Sequence, residues 1–447
     1  MAAFDVAVIG GGPAGAATAL ALRHHDPELR VVLIEASDYG EARIGESLPP
    51  NARLYLEKLG VFERFLGENH LESFGTTSSW GVGDLVDNDF LASFAGSGWH
   101  LDRRRFDAFL LAEAAREGVV TRTGARVVSE TRRGGRWRLE LRAGERRAVV
   151  TARYVVDAGG RGGRFAARRG ARRVLFDWLV GVYAFCAPGE RPATADTRTL
   201  VEPLEQGWWY SARLPDGGMV AAFMTDGDLV RGAGLDARGV WLEMLAGSRH
   251  TRERLEGLER RGEPAVRAAS SGRLDAFGGD GWLAVGDAAS TFDPLSGQGI
   301  VKALANGLWA AFAAADSVGG RQHVVERYSQ LLRDEFERYL ETRERFYLEE
   351  PRWPEAPFWR RRRTRVTLDP RRPLERSPEA AQALARLRMY LPPAELTRLA
   401  GLFATPRPAH EAVAAFKDAD DAGLSDRRIV LALQYLVEEG VLRTPSY

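Results

Sequence analysis

Residues 4–10 read Phe-Asp-Val-Ala-Val-Ile-Gly, a β-branched strand that runs straight into Gly11-Gly12-Pro13-Ala14-Gly15 and an alanine- and leucine-rich helix over 13–23. No other feature narrows the fold as far. A second apolar strand over 30–35 completes a strand–helix–strand unit, which requires parallel strands and a right-handed crossover. Gly10 permits the tight turn, Gly12 lets a pyrophosphate approach the backbone, and Gly15 lets the helix pack closely on the strand. Pro13 and Ala14 open the helix whose N-terminal amides face the phosphate. Glu35 ends the second strand twenty residues after Gly15, where a carboxylate accepts from ribose hydroxyls and repels a 2′-phosphate. The unit is read as a site for an unphosphorylated ADP group, part of FAD or NAD; a glycine-rich turn without ligand is the plainer alternative.

A second glycine-rich segment lies far downstream: Gly286-Asp287-Ala288-Ala289, then Asp293-Pro294, then Gly297-Gln298-Gly299-Ile300. A carboxylate at a strand end suits the ribityl hydroxyls of a flavin. The turn after it can aim N–H groups at the isoalloxazine N1/O2 edge, where reduced flavin is negative. An NAD dehydrogenase has no use for this element, so FAD is the expected cofactor.

With both segments in place, residues 4–345 resemble the FAD-dependent monooxygenase superfamily with the p-hydroxybenzoate hydroxylase fold. Arg43-Ile44-Gly45-Glu46-Ser47-Leu48-Pro49-Pro50 resembles the corresponding segment of its halogenase-like branch. The resemblance places Arg43, Glu46, Ser47 and Arg103 beside the cofactor, with Arg103 suited to the pyrophosphate; a surface charge at a helix start is the alternative for Arg103. Asp157-Ala158-Gly159-Gly160-Arg161 looks like the superfamily's turn near the flavin. Ser78-Ser79-Trp80-Gly81, Gly96–Arg103 and Asp293–Ile300 are similar to the LodB, GoxB and QhpG type of flavoprotein, which matures quinone-cofactor oxidases. This narrower resemblance implies hydroxylation of a tryptophan side chain within a peptide or protein through a C4a-hydroperoxyflavin. O2 is then a co-substrate, and NAD(P)H or a separate flavin reductase supplies the electrons.

The resemblance leaves halogenation open, and composition bears on it. The chain has 59 arginines but only three lysines, Lys58, Lys302 and Lys417. Flavin halogenases pass hypohalous acid to a lysine beside the substrate, in the region following the helix after the Glu46 segment, and carry a WxWxIP motif. Residues 71–99 contain no lysine, and Gly207-Trp208-Trp209-Tyr210 departs from that motif. Hydroxylation of an electron-rich ring needs no lysine, only proximity and exclusion of water. His100 is the titratable candidate for proton exchange, with Glu46 near the flavin as the second catalytic candidate. Trp80, Trp99, Trp208, Trp209, Tyr210, Phe223 and Met224 are the candidate walls of an aromatic-binding pocket, each singly also suited to a core. Two further rivals are a geranylgeranyl-reductase-type flavin reductase and an FAD-containing maturation chaperone.

The expected fold is α/β. A discontinuous Rossmann-like FAD-binding domain covers 1–72, 100–175 and 270–345, and an inserted, mainly antiparallel β substrate domain covers 73–99 and 176–269. A basic linker over 346–376 leads to a mainly helical module over 377–447, winged-helix-like in its closing helix and strand. Residues 351–372 carry eight arginines against Glu355 and Asp369 with Trp353, Phe358 and Trp359 among them; this net +6, set against +1 for the chain, leaves −5 elsewhere. A solvated linker is the default reading of this stretch; the sharper one is that 351–447 holds a peptide or protein substrate. No nucleic-acid module accompanies it. The single Cys186 excludes an intrachain disulfide and any cysteine-built metal site, and no metal is expected. No apolar run is long enough to span a membrane, and a cytoplasmic location is expected.

Overall fold

Strand Ala2–Ile9 occupies the middle of an eight-stranded sheet, between Arg146–Asp157 and Val31–Ile34, both parallel to it. The computed structural model describes residues 2–90, 96–189, 196–321, 323–363, 366, 368–419 and 424–445. Trp282–Ala284 and Val120–Arg122 extend the parallel order on either side, and the hairpin Arg126–Arg133/Arg136–Ala143 adds antiparallel strands. All four residues of Val31–Ile34 are buried, as both faces of a parallel sheet must be. Helix Pro13–His25 packs on helix Gly299–Val318, and a Cβ at Gly307 would stand 2.6 Å from the Cβ of Ala17. Only glycine permits that approach. It brings the two glycine-rich segments of the sequence to the same edge of the sheet.

A seven-stranded sheet follows the order Glu259–Ala268, Leu179–Ala187, Met219–Asp226, Gly207–Arg213, Thr199–Leu204, Gly75–Ser78, Val86–Asp89. It is antiparallel except for the pairing of Thr199–Leu204 with Gly75–Ser78. Side chains alternate between its faces: Trp208, Tyr210, Ala222 and Met224 lie on one, Trp209, Ala221 and Phe223 on the other. The ends of segment 73–99 leave this sheet. Gly98–His100 pairs instead with Ser47–Leu48 and Leu71–Ser73 in a three-stranded sheet against the flavin-side core. Residues 91–95 lie outside the described residues.

The basic stretch departs from the expected solvated linker. Helix His323–Leu348 runs through its start, and a short helix, Pro357–Arg363, packs Phe358, Trp359 and Arg362 into the protein. Phe358 and Trp359 share a core with Trp208 and Tyr347, and Trp80 meets Trp359 edge-on at 5.3 Å. Arg362 makes a bidentate pair with Asp226 at 3.0 and 2.7 Å, Arg361 pairs with Asp228, and Arg352 with Glu350. Burial of the aromatic rings is what carries Arg362 in, and Asp226 at the end of strand Met219–Asp226 neutralises it. Residues 364, 365 and 367 lie outside the described residues.

The C-terminal part is mainly helical, with helices Pro393–Gly401, Ala409–Asp418 and Asp426–Glu438 around a three-stranded sheet of Arg407–Pro408, Pro373–Arg376 and Leu442–Arg443. Its apolar side chains form one core with Val174, Phe176, Phe336 and Leu340, so it is joined to the body by packing and not only by a tether. Among the described residues no helix is long and apolar enough to cross a membrane.

Candidate active site

A cavity of about 970 Å³ runs from Gly10, Gly12 and Glu35 past Glu46 and Asp287 to Met224 on the seven-stranded sheet. At its first end Gly10 has φ +113°, and a Cβ there would meet the carbonyl of Ala158 at 2.2 Å. A Cβ on Gly15 would stand 1.9 Å from the Gly10 carbonyl, so Gly15 serves helix–strand packing and does not line the cavity. A Cβ on Gly12 would meet nothing within 4 Å, because Gly12 faces the open cradle. Glu35 is fixed in place: Oε2 accepts from the Gly11 amide at 2.6 Å, and Oε1 accepts from the Ser37 amide and hydroxyl at 2.8 and 2.6 Å. Arg43 stands 3.7 Å from Glu35 and donates to Asp107 and Ser37.

Farther along, Asp287 receives the Lys302 ammonium on Oδ1 at 3.0 Å, with Arg161 3.3 Å from Oδ2. Burial would raise its pKa, but Lys302 and Arg161 together hold it below the ordinary carboxylate range. The turn after it is capped by Asp293, which accepts from the Leu295 amide at 2.9 Å, and ends at Gly297 with φ +60°. Pro294, Gly297, Gly299 and Ile300 line the cavity, while Gln298 caps the following helix and accepts from Asn51. Arg103, the expected pyrophosphate partner, also lines it. Its guanidinium grips Asp107 at 3.1 and 3.0 Å and donates to the carbonyls of Ile44 and Gly45, holding the segment that carries Glu46.

At the substrate-sheet end, Glu46, Ser47 and Tyr210 converge. Tyr210 donates to Glu46 Oε2 at 3.1 Å; its hydroxyl is 3.0 Å from Ser47 Oγ, which is 3.1 Å from Thr199 Oγ1, which is 3.0 Å from His100 Nε2. The two catalytic candidates therefore sit at opposite ends of one chain of hydrogen bonds. Burial raises the Glu46 carboxyl above its ordinary range, opposed by nearby amides, Tyr210 and Arg103. His100 is fully buried and off the cavity wall; burial, and then Arg254, push its pKa down to about 3. Its ring hydrogen-bonds Thr199 from behind the cavity wall, where burial disfavours the charged form.

Of the seven aromatic-pocket candidates, Tyr210 and Met224 line the cavity. Trp99 packs edge-on against Phe62 and Phe65, because its strand belongs to the small flavin-side sheet. Trp209 and Phe223 face the opposite side of the substrate sheet with Trp241, one residue out of phase with the cavity. Trp208 is on the cavity's face but buried in the aromatic core, donating to the Tyr347 hydroxyl at 3.1 Å, and half-buried Trp80 packs against that core. Sequence reading did not find Thr199 or Asp107. The spacing of Arg103 and Asp107, one helical turn apart, was the available signal for the latter.

These features fit FAD. An open cradle at Gly12, a ribose acid at Glu35, a carboxylate at Asp287 and a glycine turn at 297 all line one cavity. A family model described as tryptophan halogenase matches residues 5–73 and 81–418. The putative FAD-dependent oxidoreductase LodB of Marinomonas mediterranea is 33% identical over 367 residues, covering 81% of this chain and 97% of that protein. The myxobacterial chondrochloren halogenase CndH superposes with a TM-score of 0.75 at 24% identity, covering 100% of this chain and 98% of its own. The peptidyl tryptophan dihydroxylase QhpG superposes with a TM-score of 0.63 at 24% identity, covering 98% and 100%. With the cradle, the flavin-side turn and these matches in agreement, this chain belongs to the tryptophan halogenase family of FAD-dependent oxidoreductases.

Proposed function

We propose that this protein is an FAD-dependent monooxygenase that hydroxylates the ring of a tryptophan side chain within a polypeptide. The observation that carries the reading is the placement of the three lysines. Lys302 is buried with its ammonium on Asp287 and the Ser290 carbonyl, Lys58 is exposed on helix Ala52–Lys58, and Lys417 pairs with Asp426 in the C-terminal part. None of them lines the cavity, so no amine stands ready to carry a halogen to a substrate there. Bound FAD supplies the activation of O2. The chain contributes an apolar wall of Gly181, Val220, Ala222 and Met224, which keeps water from the reacting ring. Glu46, its pKa raised by burial, can take up a proton at Oε1, the oxygen that Tyr210 leaves free. The likeness to a protein described as a peptidyl tryptophan dihydroxylase supports a polypeptide substrate.

Halogenation of an aromatic ring is the second reading, favoured by the family match itself and by the likeness to CndH. One experiment separates the two. Tryptophan-containing peptides are incubated with the protein, reduced FAD and ¹⁸O2, with chloride and bromide present, and their intact masses are recorded. Gain of labelled oxygen supports hydroxylation; a halogen isotope pattern overturns it.

A further inference from the structure

Strand Glu259–Ala268 forms one edge of the seven-stranded sheet and pairs only with Leu179–Ala187 among the described strands. Its first half is defended against edge pairing by Arg260, Arg261, Gly262, Glu263 and Pro264, whereas Ala265–Ala268 carries one charge and no proline. Ala269 N–H donates to the Leu179 carbonyl at 2.9 Å, and the register then runs without a break through Ala268↔Val180, Arg267↔Gly181 and Val266↔Val182. In an antiparallel ladder hydrogen-bonded pairs alternate. Arg267 therefore turns its backbone groups inward, and Val266 and Ala268 turn theirs toward the open edge. Side chains alternate too. Arg267 opposite Gly181 projects on the cavity face, and Arg267, Ala268 and Ala269 are part of the cavity wall.

We propose that an extended, acidic segment of a polypeptide substrate docks here as an added antiparallel strand on Val266–Ala268, with the reacting tryptophan opposite Arg267. This rests on the reading of a polypeptide substrate given above. The residues on either side of the tryptophan exchange N–H···O bonds with Val266 and Ala268, and the tryptophan itself is then directed to the cavity face. Main-chain pairing supplies affinity without regard to sequence, and the cavity selects the ring. The preference for acidic flanks follows from charge. Arg267 lies in the docking strand itself and lines the cavity, and its side chain forms no ion pair among the described residues.

The test uses the full-length FAD-loaded protein and a capped heptapeptide, Ser-Glu-Val-Trp-Val-Glu-Ser. Binding is followed by calorimetry, and oxygen incorporation by mass spectrometry after the bound FAD has been chemically reduced and ¹⁸O2 admitted. Wild type is expected to bind the peptide, and N-methylation of the two residues flanking the tryptophan is expected to weaken binding about tenfold. Val266→Pro removes one outward donor and leaves the internal ladder intact; about the same loss is expected with flavin content and Tm unchanged. Affinity indifferent to N-methylation, or no binding by wild type, overturns the proposal. Binding that depends on these amides without any oxygen gained by the peptide would instead overturn the hydroxylase reading. Oxygen gained equally by the parent and N-methylated peptides would leave that reading standing and remove the docked strand.

Discussion

Tyr210 donates its hydroxyl to Oε2 of Glu46 across 3.1 Å, while Oε1 of the same buried carboxyl has no hydrogen-bond partner among the described residues. A carboxyl so placed keeps its proton more firmly than an exposed one. Below the ordinary carboxylate range both the folded and unfolded chains are protonated here. As pH rises from the ordinary value toward the raised one, the unfolded chain releases a proton that the folded protein retains, and stability falls. Glu46→Gln is expected to remove that part of the pH slope in denaturant titrations. Tyr210→Phe is expected to raise the Glu46 pKa further, move any Glu46-linked limb of the pH–rate profile to higher pH, and cost about 1–2 kcal/mol.

His100 titrates in the opposite sense. Its folded pKa near 3 lies below the ordinary histidine value, so the unfolded chain binds a proton that the folded protein refuses. Stability then falls as pH drops through that window. His100→Gln, which can still reach Thr199, is expected to flatten this slope in urea titrations while leaving turnover above pH 6 within about threefold of wild type. A large loss of turnover with an altered pH profile would return His100 to the catalytic group.

Gly12 and Gly15 separate cofactor binding from folding. Gly12→Ala places its methyl in open cradle space, so Tm without FAD should be unchanged while the Kd for FAD rises about tenfold or more, read by flavin fluorescence. Gly15→Ala drives a methyl onto the Gly10 carbonyl, which cannot yield, and should cost about 3 kcal/mol before any cofactor is added.

Much of this site was legible in sequence for a physical reason. Gly10, Gly12, Gly15 and Glu35 belong to one strand–helix–strand unit, whose local chain geometry sets their positions. The aromatic wall was not. Whether Trp209 or Tyr210 faces the cavity depends on strand register, and the two differ by one residue. The fate of Arg362 was hidden for a related reason: its counter-ion, Asp226, is 136 residues away in sequence. A run of arginines gives no sign that a carboxylate from another sheet will neutralise it in the core.

Arg362 also offers a direct check on the packing of the basic stretch. Arg362→Ala leaves Asp226 buried with Arg361 as its remaining partner and opens space beside Phe358. The expected cost is toward the lower end of about 3–5 kcal/mol, measured as a shift in urea midpoint. A solvated linker would show a change of less than about 0.5 kcal/mol.

The burial of Lys302 has a practical corollary. Of the three lysine amines, only those of Lys58 and Lys417 stand at the surface, and neither borders the cavity. Amine-directed dyes, crosslinkers and resins will therefore attach to the folded protein's lysines at two known addresses. A third modified lysine would report that Asp287 had released Lys302, making simple acylation mass mapping a gauge of whether the flavin cradle is intact.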